Sequence, residues 1–234
     1  SFMAWASYVP FIYTAIKGDK SRQRYLWAML VGTVYWLASL YWMVPVTVAG
    51  WIAFSIYTAL LWPLLVWVLR LAVKNRIPII LASAVLIVAA ENLQGTFFKG
   101  FYWRFLAHSQ YSNLHLIQFA DILGAGGVSF IIALVNGLVA DIWLNFDHNN
   151  RVFRQAGTYA KIAGTAIILI GVLIYGHWRL GQNTTVAGPV VASIQTNVPQ
   201  SVKESREAEA QILAELLEMT RESLKADPAL VVWP

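Results

Sequence analysis

Long runs of apolar residues, separated by short polar connections, dominate the first three quarters of the chain. A helix that crosses a bilayer needs about 20 mostly apolar residues, and five segments meet or approach that length. They are Tyr25–Met43, Trp51–Leu69, Ile77–Leu93, Val128–Phe146 and Ile162–Trp178, and a shorter apolar stretch, Phe2–Ile16, precedes them. The pattern therefore predicts a polytopic α-helical membrane bundle over residues 1–187, with about six helices of which the first is incomplete.

After Gly188 the pattern changes to that of a short α/β unit. The β-branched and apolar residues at 190–196 predict a strand buried on both faces. From Ser201, which matches a capping box with Glu204, an amphipathic helix is predicted as far as Ala226, packed on the sheet. Residues 229–234 then predict a second strand, parallel to the first after a right-handed crossover. So short a unit cannot be stable alone, and we expect residues 188–234 to open a larger domain.

Composition supports the membrane assignment and excludes several classes of protein. The chain is 58% hydrophobic and 12% charged, whereas a soluble domain carries roughly a quarter charged residues. It has no cysteine, which excludes a disulfide framework, a Cys-ligated metal site and a thiol nucleophile within these residues. The histidines lack metal-ligand spacing, so we expect neither a metal nor a cofactor. They are His108, His115, His148 and His177.

The net charge of +5 divides into +8 for residues 1–187 and −3 for residues 188–234. Ten of the seventeen Lys and Arg residues lie in alternate connections, at 17–24, 70–76 and 151–161. The positive-inside rule places these connections in the cytoplasm and the chain after Trp178 outside. No stripe of Lys and Arg with interleaved aromatics lies outside the apolar segments, so the bilayer, and no nucleic acid, is the expected partner.

Glu91 is an acidic residue inside an apolar span. Such residues are functional or paired by default, because burying an unpaired charge is costly. The alternative is a carboxylate that reaches interfacial water or pairs with Lys99 or Arg104. We favour a structural role over a catalytic one.

The connection from Gln94 to Gly127 is too long and too aromatic for a plain solvent loop. One hypothesis is that Phe101, Trp103 and their neighbours lie in the interface and line a lipid path toward the outer domain. Lys99 or Arg104 would then attract the phosphate of a lipid head group. The alternative is an aromatic anchor that only fixes helix depth, and the sequence leaves both open.

Motifs in both parts of the chain resemble the apolipoprotein N-acyltransferase family, and together they cover essentially the whole chain. Three positions depart from the family pattern: Gln94 stands for Arg, Tyr102 for Pro, and Glu204 lies close to where a Trp is usual. The motifs are Glu91–Gly95, Gly100–Trp103, His108–Tyr111, Ile117–Gly124, Gly127–Phe130, Leu134–Asn136, Ile194–Gln200 and Leu230–Pro234.

The resemblance implies a fold and an activity. Residues 188–234 would open a nitrilase-like domain, an αββα sandwich of the carbon-nitrogen hydrolase type, on the periplasmic side of a bacterial inner membrane. The parent enzyme would transfer an acyl chain from a phospholipid to the diacylglyceryl-cysteine of a lipoprotein, through a Glu-Lys-Cys triad and a thioester. That Glu is expected directly after Pro234, with the Lys and Cys further on. The chain thus resembles a fragment truncated at both ends, which we expect to be inactive alone.

Two other functions remain open at this point. A non-catalytic transporter or assembly protein would show internal repeats or paired intramembrane charges, and the sequence displays neither. A membrane-tethered nitrilase-like amidase would share the Trp233-Pro234 strand but would not need the Gly100–Trp103 loop.

Overall fold

The computed structural model describes residues 2–17, 21–96, 100–148, 155–182, 184–198 and 206–234. These residues form nine α-helices, two strands and four 3-10 helices. The α-helices are α1 Val9–Lys17, α2 Ser21–Ser39, α3 Val48–Ala59, α4 Leu61–Lys74, α5 Ile79–Thr96, α6 Leu114–Ile117, α7 Ala120–His148, α8 Ala156–Leu180 and α9 Arg206–Ser223. The strands are β1 Val191–Ser193 and β2 Leu230–Val232, and the 3-10 helices are Phe2–Trp5, Tyr41–Met43, Leu106–Gln110 and Leu224–Ala226.

Four helical stretches in the described ranges are long and apolar enough to cross a membrane. They are Val48–Lys74, Ile79–Thr96, Ala120–Phe146 and Ala156–Leu180, and each corresponds to a predicted span. The predicted span Tyr25–Met43 falls on α2, whose first turn carries Arg22, Gln23 and Arg24 and is therefore more polar. The total of six crossings stays a prediction.

The first apolar stretch, Phe2–Ile16, is interrupted in the structure. A 3-10 helix over Phe2–Trp5 is followed by a turn and then by α1. At nine residues, α1 is about 14 Å long. That length is less than half of the roughly 30 Å hydrocarbon core, so α1 lines the bundle without spanning it alone.

The chain divides into two compact units, Ser1–Tyr41 with Trp51–Gln182, and Trp42–Gly50 with Asn183–Pro234. In the first unit the core lies where α5 and α7 pack together, with α1, α4 and the 3-10 helix at Leu106–Gln110 against them. Leu116, Ile132 and Val128 are among its fully buried side chains. Their burial supplies the packing contacts that hold lipid-embedded helices together.

Polar side chains connect these helices, among them the buried Asn136 and the exposed Asp121. The Asn136 amide accepts a hydrogen bond from Tyr8 N at 2.9 Å and donates to Ala4 O at 2.9 Å. Asn136 thereby provides hydrogen-bond partners for backbone groups of Ala4 and Tyr8 that have no partner within a helix. Asp121 accepts from Tyr175 Oη at 2.6 Å and from Arg179 Nε at 2.8 Å, which joins α7 to α8.

A break at Gly124 sets the direction of the first turn of α7. Its backbone lies at φ 63° and ψ −169°, a combination that is essentially restricted to glycine. The regular part of α7 therefore begins after Gly124, close to the start of the predicted span at Val128.

The second unit contains a parallel pair of strands joined through α9. Val191 pairs with Leu230, Ala192 with Val231 and Ser193 with Val232. The expectation of a strand buried on both faces is wrong for this unit. Apolar side chains of both strands and of α9 are exposed, because in the described chain each strand pairs only with the other. They include Val191, Leu230, Val232, Leu213 and Leu217.

The end of β2 is attached to α9 through one side-chain contact. Trp233 Nε1 donates to Thr220 Oγ1 at 2.9 Å. The helical segment ends before Pro228, with Asp227 in the left-handed region at φ 49°, a conformation common at helix C-termini. The predicted start of this helix at Ser201, and its capping residue Glu204, lie outside the described residues.

Candidate functional site

The connection between α5 and α7 is folded, and buried side chains of the bundle hold it. Its 3-10 helix over Leu106–Gln110 begins with N–H groups that have no partner within the helix, and Phe105 at its N-cap supplies no side-chain acceptor. Glu91 Oε1 accepts from Leu106 N at 2.6 Å. Ser129 Oγ accepts from Ala107 N at 3.0 Å. A carboxylate on α5 and a hydroxyl on α7 therefore cap this short helix.

Glu91 is almost fully buried, and its second carboxylate oxygen, Oε2, has no hydrogen-bond partner among the described residues. No ion pair between Glu91 and Arg104 is present in the described part of the chain, so the pairing considered from sequence is not formed. Lys99 lies outside the described residues. The observed partner is a backbone N–H, consistent with the structural role that we favoured for Glu91.

Gln94, one turn after Glu91, holds the first part of the connection. Its Nε2 donates to Phe101 O at 3.2 Å and to Trp103 O at 2.9 Å. Gly100 has φ 92°, and a side chain there would lie about 3.1 Å from Gly95 O, so only glycine fits this reversal without strain. A neutral amide thus fixes the backbone of the loop.

Arg104 ends this segment in an unusual backbone conformation. Its φ of 66° is in the left-handed region, which costs a non-glycine residue energy unless contacts hold it. Its Nη2 donates to Ser39 O, the last residue of α2, at 2.9 Å. The guanidinium therefore links the loop to the end of α2 and satisfies a carbonyl that the helix leaves free.

Aromatic rings divide into those that anchor the loop and those that it exposes. Phe101 packs edge-on against Phe54 of α3 with ring centroids 4.8 Å apart, and against Trp36 of α2 at 6.1 Å. Trp103 stacks on Phe101 at 6.1 Å, yet 53% of its surface is exposed, as is 53% of Tyr102. Phe101 is thus a packing anchor, while Tyr102 and Trp103 present aromatic surface outward.

An apolar groove of about 1230 Å³ runs from this loop along α2, with α1 and α4 as its other sides. Ordinary small-molecule pockets measure about 300–1,000 Å³, so the groove has room for a larger, extended molecule. Arg104, Phe105 and Leu106 lie at one end, and Trp27, Val31 and Trp62 line its length. A second cavity, of about 30 Å³, lies beside Glu91, Gln94 and Arg104.

Sequence reasoning did not select every residue that forms the site. Ser129 was noted only as part of a family motif, although a hydroxyl within an apolar span is itself a signal for a buried hydrogen bond. Arg24 was counted only as a topology signal, whereas its side chain is buried and lines the groove. Both positions depend on helix packing that a linear pattern does not contain.

Comparison with known proteins identifies the family of this chain. Residues 1–138, more than half of the chain, match the family model of the apolipoprotein N-acyltransferase N-terminal domain. An apolipoprotein N-acyltransferase of Geobacter metallireducens is 27% identical over 99% of the chain and 46% of its own length. One of Rhodopirellula baltica is 28% identical over 99% of the chain and 43% of its own length.

A third relative, the apolipoprotein N-acyltransferase of Methylococcus capsulatus, is 32% identical over 63% of the chain and 27% of its own length. The chain spans less than half the length of these curated relatives. The region that matches the family model, residues 1–138, contains α1 to α6 with Glu91, the loop with Phe101, Trp103 and Arg104, and the first part of α7. The chain belongs to the apolipoprotein N-acyltransferase family.

Proposed function

We propose that the protein to which this chain belongs transfers an acyl chain from a membrane phospholipid to the N-terminal diacylglyceryl-cysteine of bacterial lipoproteins. Family membership and the names of the relatives support the reaction class. The membrane helices support a bilayer-embedded enzyme, which we place in the bacterial inner membrane. The basic connections favour an orientation with residues 188–234 on the periplasmic side.

The chemistry that we propose proceeds in two acyl transfers. A cysteine thiolate attacks the ester carbonyl of the phospholipid and the carbon–oxygen ester bond breaks, which leaves the acyl chain as a thioester. The lysophospholipid alkoxide takes up a proton and leaves. The lipoprotein α-amine then attacks the thioester, the carbon–sulfur bond breaks, and an amide forms. A glutamate would carry the protons and a lysine would stabilise the oxyanion. The 234 residues contain no cysteine, so we expect this chain alone to be inactive.

For residues 188–234 we propose the opening β-α-β unit of a nitrilase-like domain. The parallel register of β1 and β2 is compatible with an α/β domain in which further strands extend the sheet. The Trp233–Thr220 hydrogen bond fixes the carboxyl end of β2, where open α/β sheets place their sites. The exposed apolar faces of this unit also favour a larger domain.

For the membrane part we propose that the loop from Phe101 to Tyr111 lines the path of the donor lipid. The observation that carries this proposal is the junction of the loop with the groove. Glu91, Gln94 and Ser129 fix the loop backbone, so Arg104 is held at a groove large enough for an acyl chain, and Trp103 precedes it on the same loop. Lys99 remains, on the sequence alone, a candidate for attracting the phosphate of the donor lipid.

The function is tested in cells that make the protein from its complete gene as their only enzyme of this family. Mature lipoproteins from these cells should carry an N-acylated cysteine in mass spectra, and depletion of the protein should leave the diacylglyceryl form. Lipoproteins that stay N-acylated after depletion would contradict the assignment.

The proposed role of Trp103 predicts a specific kinetic effect. Trp103→Ala should raise KM for the phospholipid about tenfold, equivalent to about 1.4 kcal/mol of binding free energy, with little change in kcat. Trp67 on α4 is a matched control, since its exposed fraction is 54% against 53% for Trp103 and it lies outside the loop. An equal loss in Trp67→Ala, or an unchanged KM in Trp103→Ala, would leave Trp103 as a depth anchor.

A further inference from the structure

The groove described above has a buried arginine at its far end. Arg24 lies in the first turn of α2, is only 8% exposed and lines the groove. Within the described residues, its Nε and Nη1 atoms have no hydrogen-bond partner. Buried guanidinium donors without a partner are costly, and a guanidinium presents a donor fork that matches phosphate oxygens.

The surroundings of Arg24 offer positive charge and few acceptors. The carbonyls at the end of α1, Ala15 O and Ile16 O, already accept from Arg70 Nη1 at 2.9 and 3.0 Å. The N-terminus of α2 adds the partial positive charge of its free N–H groups. In residues 1–96 the acidic residues are Asp19, outside the described residues, and Glu91, which caps the loop.

The rest of the groove is suited to a hydrocarbon chain. From Arg24 the α2 side of the groove continues through Trp27, Ala28, Val31 and Tyr35, a spacing of three to four residues that puts them on one helix face. Trp27 and Val31 are exposed. A phosphate at Arg24 would therefore be followed by an apolar channel that leads toward the middle of the bundle.

The position of Arg24 separates this feature from the donor path at the loop. Arg24 and Ser39, which holds Arg104, are 15 residues apart on α2, or about 22 Å along the helix axis. That distance is a large part of the roughly 30 Å hydrocarbon core. A lipid whose phosphate binds Arg24 thus has its head group at the membrane face opposite the loop.

We propose that Arg24 and the adjoining groove bind a resident glycerophospholipid, with its phosphate on the Arg24 guanidinium and one acyl chain between α1 and α2. This lipid belongs to the leaflet opposite the loop and occupies the Arg24 end of the groove, whereas the donor lipid enters at the Arg104 end. The site does not depend on the proposed enzymatic activity, and it can be present or absent whatever reaction the protein catalyses.

The test is a titration of the detergent-purified, delipidated protein with phosphatidylglycerol, monitored by native mass spectrometry. Arg24→Gln should weaken binding at least about tenfold, equivalent to 1.4 kcal/mol. Arg22→Gln is the matched control, because Arg22 lies in the same turn but is exposed, and it should bind as the wild type does. Equal binding by the Arg24→Gln and wild-type proteins, or equal loss in both variants, would overturn the site.

Two further ligands define its chemistry. Diacylglycerol has the chains without the phosphate, and glycerol phosphate has the phosphate without the chains, so each should bind at least about tenfold more weakly than phosphatidylglycerol. Val31→Trp should reduce phosphatidylglycerol binding by filling the groove while Arg24 stays in place. Tight binding of glycerol phosphate that survives Val31→Trp would indicate a simple anion site and contradict the lipid assignment.

Thermal unfolding distinguishes a lipid site from an internal ion pair. Phosphatidylglycerol should raise the Tm of the wild-type protein and leave that of Arg24→Gln unchanged, while the two delipidated proteins unfold at similar temperatures. If Arg24 instead formed an ion pair with Asp19, Arg24→Gln and Asp19→Asn would each lower Tm by the same amount with and without lipid, and the proposal would fail.

Discussion

Glu91→Ala is expected to lower the free energy of unfolding by about 1–3 kcal/mol, since it leaves the buried Leu106 N–H without an acceptor. The 3-10 helix at Leu106–Gln110 then loses the carboxylate that caps its first N–H group. Without this cap the loop should also become more mobile where it borders the groove. In the complete enzyme the turnover of donor lipid should then fall by a larger factor than stability alone explains.

Thermal unfolding and hydrogen exchange of the detergent-solubilised protein measure the two effects. Glu91→Gln retains an amide oxygen that can accept from Leu106 N, so its loss should be smaller. Asn92→Ala is the local control, because Asn92 is exposed on the same turn and its side chain bonds only to Val88 O among the described residues. Wild-type exchange at residues 105–110 in Glu91→Ala would show that the carboxylate does not hold the loop.

Gly137→Ala is expected to destabilise the bundle by about 1–3 kcal/mol through overpacking. A methyl group at this position would lie 2.9 Å from Ile80 Cα and 3.0 Å from Ile80 O. Both are backbone atoms of α5, so the clash is relieved only by moving α5 away from α7. The loss should be read as a lower Tm and, in the complete enzyme, as lower activity at a given protein level.

Gly164→Ala on α8 is the matched control for this prediction. Outside its own stretch of helix backbone, no atom lies within 4 Å of a methyl group at Gly164, so alanine should leave stability unchanged or raise it by up to about 1 kcal/mol through helix propensity. Equal destabilisation by the two substitutions would mean that α5 and α7 do not approach closely at Gly137.

This pair of glycines illustrates how far the sequence could be interpreted. Ala133 with Gly137 and Ala160 with Gly164 have the same four-residue spacing, and hydropathy predicts the helix that contains each pair. Only the packed structure distinguishes them, because Gly137 faces another backbone and Gly164 faces open space. Periodicity thus predicts the elements, while the choice of neighbours is a tertiary property.

The candidate site shows the same division. Sequence reasoning selected Glu91, Phe101, Trp103 and Arg104 from an intramembrane carboxylate and an aromatic loop. It offered Arg104 or Lys99 as charged partners for Glu91, whereas Glu91 binds a backbone N–H. Arg104 adopts a left-handed backbone and reaches Ser39 instead. That conformation depends on contacts with α2, so no local propensity could have predicted it.

The short α/β unit could be predicted in outline only. Strand, helix and strand follow from the residue pattern, and the parallel pairing of Val191 with Leu230 follows from the crossover. The burial of the first strand on both faces did not follow from the pattern. Burial requires neighbouring elements, which a strand pattern implies but does not contain.

The most direct test of the account follows a labelled acyl chain from donor to acceptor. The protein made from its complete gene is reconstituted with a phospholipid labelled in its acyl chain and a synthetic diacylglyceryl-cysteine peptide. We predict that mass spectrometry will detect the labelled chain in amide linkage on the peptide α-amine, together with an equal amount of lysophospholipid. The proposed function would be contradicted by a peptide that stays diacylated, whether the phospholipid remains intact or is hydrolysed to free fatty acid.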